Sequence, residues 1–362
     1  MDSTHANARP VRRWLRRFAV PLGVGYPIAL LIAWLLLRLE GEDWWVTIVG
    51  LYTPPVGFLF PAPFVIAVAW AWAPRRILLL QAVSLFLAVF PLMGLHLGSA
   101  RPTGTTDASA IRLVSYNIDH GDRGVPAIVA EAKKLDPNLV LLQSADEGVA
   151  AELTAAFAGW HVDFRDQFFV ASRFPLSEVH SPPGIHYEAD GGVALRTEDG
   201  GAHFVTYTIA TSLGLVDVFN VHMTSPRGGL EDVHGRGLLY GLLAGHVLLG
   251  HGHERLAFNS YRRMRQVQGL AAAAAASPRP VIIAGDTNLP DLSRIFRENL
   301  SGFDDAFAAV GRGFGYTYPS KLPWLRIDRI LTSGKLRAVD FRIGDARASH
   351  HLCVGATITA GP

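Results

Sequence analysis

Charge is spread unevenly along the chain, and that distribution sets its organisation. Three stretches in the first hundred positions carry no charged residue: Phe18–Leu37, Trp44–Pro74 and Ile77–Ala100. A bilayer-crossing helix needs about 20 apolar residues in a row, so each stretch is long enough to span. The pattern predicts a basic tail over 1–17 and three transmembrane helices over 18–98, the middle one starting after Pro54-Pro55. A small, polar, Pro- and Gly-punctuated tether follows over 99–110. From Ile111 the texture changes. IRLVSYNID, NLVLLQS, VDVFNVH, RPVIIAGD, LRIDRILTS and LCVGATI read as buried strands. VPAIVAEAKKL, DEGVAAELTAAFA and NSYRRMRQVQGLAAAAAA read as helices with one apolar face. Strands alternating with helices predict an α/β domain over 111–362, with covered sheets and one sizeable core. One stretch breaks the rhythm. Gly228–Asn259 reads as a long loop holding an apolar run, Leu238–Leu249, too short to span, which either packs on its own domain or serves as an interfacial lid.

The basic residues give the spans a direction. Arg9, Arg12, Arg13, Arg16 and Arg17 precede the first span, and Arg75 and Arg76 separate the second from the third. The first loop carries Arg38 but also Glu40, Glu42 and Asp43. Short Arg-rich segments stay cytoplasmic, so the N-terminus is expected inside and the C-terminal domain outside. No small-residue cleavage site follows Leu37 and two more spans come after it, so the first span reads as an anchor. The 49% hydrophobic content of the 362 residues is concentrated in these spans. A net charge of +2 lacks the strongly basic character of a dedicated nucleic-acid binder. The single cysteine, Cys353, excludes an internal disulfide, and no protein partner is predicted. Only His96, near the end of the third span, is ionisable within the spans, which disfavours a transporter or channel.

Polar residues collect at the ends of the apolar strands. The first strand ends Asn117-Ile118-Asp119, where period-two geometry puts Asn117 and Asp119 on one face. Others end Asn220-Val221-His222 and Gly285-Asp286-Thr287-Asn288. Asp328 lies in RIDRI, and Ser349-His350-His351 precedes the last strand. Taken singly, a strand-end Asp is a turn former. His246, His251 and His253 read as solvated loop residues. The order of the strand-end groups is what points to chemistry.

Through SYNID, LLQS, ASRFPL, NVH, GDTN, RIDRI and SHH, the segment from Ile111 to Thr359 resembles the endonuclease/exonuclease/phosphatase superfamily. The resemblance implies an α/β fold of two packed sheets flanked by helices in four layers, here preceded by three transmembrane helices. It also implies a divalent-metal-dependent hydrolase of phosphate esters or pyrophosphates. Such cleavage needs in-line attack by water, a cation on the phosphoryl oxygens and donors for the developing charge. By this resemblance Asp286 orients or deprotonates the water and Asn288 hydrogen-bonds the phosphoryl group. His351 contacts the phosphate or acts as an acid, Asp328 holds its ring, and His222 is the second imidazole. Asn117 helps position phosphate or metal, and the candidate metal ligands are Asp119, Asn117 and His350. Arg173 in ASRFPL receives no catalytic role.

Two departures from the family pattern bear on the metal. The family usually places a metal-binding Glu directly after the Gln of the second strand, where Gln143 is here followed by Ser144. It usually reads Ser-Asp-His before the last strand, where His350 here holds the Asp position. Asp119 is left as the obvious anionic ligand, and Asp146 with Glu147 reads as a helix N-terminal pair. His350 admits Mn²⁺ or Zn²⁺ as well as Mg²⁺. Three spans ahead of such a domain are similar to the glycopeptide-resistance membrane phosphatases, which implies a phosphorylated small-molecule or lipid-linked substrate. A catalytically silent phosphoryl-binding domain and an extracytoplasmic nuclease are the alternatives.

Overall fold

Two six-stranded sheets packed face to face carry the residues after Ala110. The computed structural model describes residues 8–98, 109–182, 184–187, 193–196, 203–227, 252–345 and 347–361. With strands numbered in chain order, the first sheet holds β1 (Ile111–Asn117), β2 (Leu139–Gln143), β3 (His161–Arg165), β4 (Phe168–Ser172), β13 (Leu336–Ile343) and β14 (Val354–Ala360). Its spatial order is β13-β14-β1-β2-β4-β3. The second sheet holds β5 (Leu176–His180), β8 (Phe204–Thr211), β9 (Gly214–His222), β10 (Val281–Asp286), β11 (Asp304–Asp305) and β12 (Asp328–Thr332). Its order is β11-β12-β10-β9-β8-β5, while β6 (Gly184–Tyr187) and β7 (Val193–Arg196) pair separately. Helices α5 (Val125–Lys134) and α6 (Glu147–Ala156) cover the outer face of the first sheet through Ile128, Val129, Leu153 and their neighbours. Helices α7 (Gly252–Ala275) and α8 (Arg294–Leu300) cover the second through Val267, Leu270 and Ile295. The result is the four-layer α/β sandwich expected. Asp146 caps α6, accepting from Val149 N–H at 2.9 Å, which is the helix-terminal role read from its position.

The sheets place polar groups by a gradient along their inner faces. β1 presents Ile111 and Leu113, then Ser115 and Asn117; β9 presents Val216 and Val218, then Asn220 and His222; β10 presents Ile282 and Ala284, then Asp286. The apolar members form the dry inter-sheet core. The polar members all reach one edge because β1 and β2 are parallel, as are β9 and β10. Register sets Asp286 opposite His222 on one side, and the antiparallel β12 sets Asp328 opposite it on the other. A polar layer then stitches the sheets together. Gln143 Nε2 donates to Asn220 Oδ1 at 2.7 Å and to Ser115 Oγ at 3.1 Å. One expectation needs a different reason. β1 stops at Asn117, and Asp119 begins a 3₁₀ turn at φ 48°, so the turn rather than the pleat brings Asp119 beside Asn117.

Ahead of the sandwich stand α1 (Ala8–Leu39), α2 (Trp45–Tyr52), α3 (Pro61–Trp72) and α4 (Arg75–Leu87), the last continued by a π-helical turn to Leu92. Three segments are long and apolar enough to cross a membrane: Arg16–Leu39, Pro55–Trp72 and Arg75–Leu92. Large apolar side chains on them point outward, with Phe64, Trp70 and Leu79 all more than half exposed. Water would penalise such a surface, whereas a bilayer solvates it. His96 lies beyond the third helix, contrary to the sequence reading. It exchanges backbone hydrogen bonds with Gly313 at 2.8 and 2.9 Å and so ties the span to the domain. The 40–54 connection does the same. Glu42 is buried and accepts from Ser293 Oγ, Arg294 N–H (2.9 Å) and Ile295 N–H (3.3 Å), placing an anion at the start of α8. The apolar run Leu238–Leu249, with His246 and His251, and the tether over 99–108 lie outside the described residues.

Gly285 is the tightest point of this arrangement. Its φ is +148°, and a β-carbon there would meet the Val221 carbonyl oxygen at 2.0 Å, inside the β9–β10 pairing that carries His222 and Asp286. Gly285→Ala is expected to cost on the order of 3–5 kcal/mol, read as a fall in the chemical-denaturation midpoint of the full chain in detergent. A midpoint close to the parent's would show that the two strands can separate at this edge.

Candidate active site

The polar strand ends meet in one cavity of about 410 Å³ at the edge of the sandwich. Asn117, Asp119, His222, Asp286, Asn288, His350 and His351 line it, and Asp328 sits directly behind His351. An apolar part of the lining comes from Tyr52, Trp324, Leu325 and Ile327.

Asp286 is the centre of the polar half. Its carboxylate is almost wholly buried, which is costly unless hydrogen bonds compensate. Oδ1 accepts from Asn288 N–H at 2.9 Å, while Oδ2 accepts from Asn117 Nδ2 at 3.0 Å and from Asn288 Nδ2 at 3.2 Å. The backbone makes this possible because Asn288 adopts φ +50°, turning its N–H back towards residue 286. Asn288 Nδ2 also donates to the Met223 carbonyl at 2.9 Å. Both amide hydrogens are thereby engaged. In this arrangement Asn288 orients Asp286, rather than offering the phosphoryl donor that the sequence reading gave it.

Two imidazoles flank this carboxylate, each with Nε2 at 3.7 Å from Asp286 Oδ2. They differ in what holds the other nitrogen. His351 Nδ1 donates to Asp328 at 2.9 Å, and Asp328 is itself fixed by the Thr317 hydroxyl at 2.5 Å. Burial works against a charge on His351, but the carboxylates of Asp328 and Asp286 outweigh it and hold the ring above the usual histidine range. His222 Nδ1 faces Gln167 Oε1 at 2.6 Å, a neutral partner. Burial, reinforced by the positive His351, keeps His222 below the usual range, so it is the uncharged imidazole of the pair. Burial also pushes the Asp286 carboxyl up, only partly offset by His351. The site thus combines a charged imidazole, a neutral one and a carboxyl brought towards neutrality. That is a combination able to move a proton and stabilise an anion.

Candidate metal ligands gather at the more open side. Asp119 and His350 are in direct contact through Asp119 Oδ2 and His350 Nδ1, with side chains about a third and a half exposed. Asp119 N–H donates to Asn117 Oδ1 at 3.1 Å. Ser144, with φ +58°, brings a hydroxyl to 3.4 Å from His222 Nδ1. One carboxylate, one imidazole and neutral oxygens form a donor set that fits a divalent cation. Ligand atoms of Asp286, Asp328 and His351 also lie within 4.8 Å of one another. The Asp328–His351 hydrogen bond and the β10–β12 register, which sets Asp286 opposite Asp328, bring them together.

Several supporting residues escaped the sequence reading. Gln167 orients His222, Thr317 orients Asp328, and Tyr318 packs its ring 4.7 Å from that of His351. Arg123 Nη1 donates to the carbonyls of Arg347 (2.7 Å) and Ser349 (2.9 Å), clamping the turn that carries His350 and His351. None of these sits in a strand-end motif, and only the fold brings them near. Tyr52 lies more than two hundred residues from Asn288, to which it is bonded, and the sequence carries no signal for that pairing.

Comparison with known proteins accords with this architecture. Residues 114–351 match the model of the Endonuclease/Exonuclease/phosphatase family. Among solved structures, an endonuclease/exonuclease/phosphatase from Beutenbergia cavernae DSM 12333 is similar at 16% identity and a TM-score of 0.47, over 70% of this chain and 72% of that one. Truncated Caenorhabditis elegans TDP2 is similar at 17% identity and a TM-score of 0.48, over 70% of this chain and 98% of that one. For mannosyl-6-phosphatase Bt3783 of Bacteroides thetaiotaomicron VPI-5482 the values are 14%, 0.44, 69% and 99%. No match was found among curated protein sequences. The family match covers more than half of the chain and takes in every strand-end residue of the pocket, so the chain belongs to the endonuclease/exonuclease/phosphatase family.

Proposed function

We propose that this chain is a membrane-anchored, extracytoplasmic hydrolase of phosphate esters or pyrophosphates, with substrates that include membrane-borne phosphates. The observation that carries the reading is the pocket itself. A buried carboxylate lies between two differently protonated imidazoles, and apolar residues complete the lining of the same pocket. Asp286 accepts a proton from the attacking water, whose oxygen forms a bond to phosphorus as the bond to the leaving group breaks. His351, held by Asp328, turns an Nε2–H to the phosphoryl or leaving-group oxygen, and the second amide hydrogen of Asn117 adds a donor. Asp119, His350 and Asn117 would hold a divalent cation, which when bound withdraws charge from the phosphoryl oxygens. The arginine distribution supports a cytoplasmic N-terminus. A three-span path puts the 40–54 connection and the domain on one side, in keeping with the contacts between them.

Turnover by the full chain in detergent micelles, across soluble and lipid phosphates with each divalent metal, tests the assignment. Asp286→Asn and His351→Ala should each lower the rate about 10²–10⁴-fold with unfolding midpoints close to the parent's. Parent-like rates in both variants would move the site elsewhere. No turnover on any substrate would favour the silent-binder alternative.

The metal side yields its own expectation. With a single carboxylate beside His350, Mn²⁺ or Zn²⁺ should support faster turnover than Mg²⁺. Ser144→Glu combined with His350→Asp adds two carboxylates and should shift the preference towards Mg²⁺. A parent enzyme that works best with Mg²⁺, and keeps that preference in the double variant, would contradict the ligand assignment.

A further inference from the structure

The membrane-spanning unit reaches into the pocket through one residue. Helix α2 lies between the first and second spans, and its last residue, Tyr52, is buried against the domain. Tyr52 Oη donates to the Asn288 carbonyl at 2.7 Å. Asn288 is the residue whose left-handed backbone and side chain together supply two of the three hydrogen bonds to Asp286. With its N–H turned inward, its carbonyl would be a buried acceptor without a partner if the hydroxyl were removed. Burial raises the phenol well above its usual range, so Tyr52 remains a donor. The helix end is held in turn. Trp324 Nε1 donates to the Tyr52 carbonyl at 3.3 Å, and the buried guanidinium of Arg263 lies 5.6 Å from the Tyr52 ring.

The ring has a second consequence. Tyr52, Trp324, Leu325 and Ile327 form an apolar wall of the pocket that Asp286 and the two imidazoles also line. Leu325 and Ile327 belong to the same apolar cluster as Tyr26, Leu30, Leu37 and Leu92 of the spanning helices. The apolar lining of the pocket is therefore packed directly against the helical unit, through a core that both share. A soluble phosphate ester would gain nothing from such a wall. A phosphate carried on a hydrocarbon chain would bury its first carbons there, at roughly 0.8 kcal/mol for each methylene.

We infer that Tyr52 completes the active site from the membrane side. Its hydroxyl is a positioning group for the Asp286–Asn288 turn, and its ring selects phosphoesters borne on a hydrocarbon chain. This deepens the hydrolase reading and rests on it.

Two variants of the full chain in lipid nanodiscs separate the two contributions. Tyr52→Phe keeps the ring and removes the hydroxyl. It should lower kcat about 5- to 10-fold on both glycerol phosphate, whose alcohol is polar, and a long-chain alkyl phosphate, with KM little changed. Tyr52→Ala should in addition raise KM for the alkyl phosphate about 10-fold more than for the soluble ester. Hydrogen exchange needs no turnover. The Asn288 amide should exchange several-fold faster in Tyr52→Phe, with the strands β9 and β10 still protected. Should the parent cleave neither substrate, the hydrolase reading fails, and exchange at Asn288 still decides the positioning role. A Tyr52→Phe protein with parental kcat and parental exchange at Asn288 would overturn the hydroxyl's role. Equal KM changes on both substrates in Tyr52→Ala would overturn the selection by the ring.

Discussion

Everything at the open edge of this sandwich is arranged around one buried carboxylate. Asp286 continues the inner face of a strand whose preceding inward residues, Ile282 and Ala284, belong to the dry core. Placing an anion there costs several kcal/mol unless donors surround it. The surrounding groups are the same ones that would perform the chemistry. Asn117 comes from the first sheet, Asn288 from the turn that follows, His222 and the Asp328-bound His351 from the two flanks. Satisfying the buried charge and building the site are thus one structural problem. It explains why Gly285, which lets β9 approach β10 so closely, and the αL turn at Asn288 cannot readily be exchanged.

The N-terminal helices are tied into the same constraint. Glu42 caps α8, His96 pairs with Gly313, and the Tyr316 hydroxyl donates to the Met93 carbonyl at 2.6 Å. These are polar contacts at both outer ends of the helical unit. Behind them a cluster of four ionic groups, the two arginines buried, stiffens the junction. Arg326 and Arg329 each pair with Asp291 and Asp305, and the two guanidiniums hold the Asp305 carboxyl well below the usual range, overcoming its burial. Arg326 and Ile327 lead from this junction directly into β12, which opens at Asp328. The strand that orients His351 is therefore fixed from the side of the N-terminal helices as well as by its own sheet.

Much of this could be read from the chain before any coordinates. The long apolar helices announce themselves in uninterrupted apolar runs, and the pocket-lining strand ends because each polar cluster abruptly closes an apolar one. The edge strands β3 and β5 go unread for the converse reason, since their faces are mixed and half-exposed with no apolar run to mark them, while the interior β4 and β8 go unread despite their buried apolar residues. Asp328 was placed correctly beside His351, although it opens an antiparallel strand rather than ending a parallel one. Asn288 shows a different limit. Its place next to Asp286 was legible, but the direction of its amide depends on the Met223 carbonyl, which only the β9–β10 pairing brings near. Tyr52 and Gln167 act across long separations, where composition and spacing are silent.

The central claim is that the phosphoryl group, its cation and the membrane-side wall meet at Asp286. A structure of the full chain in a bilayer mimic, with Mn²⁺ and a non-hydrolysable long-chain alkyl phosphonate, tests it most directly. The account predicts phosphonate oxygens within hydrogen-bond reach of His351 Nε2 and Asn117 Nδ2. It predicts manganese on Asp119 and His350, and the alkyl chain along Tyr52 and Trp324. A phosphonate bound outside this pocket, or manganese seated on Asp328 in place of its bond to His351, would contradict it.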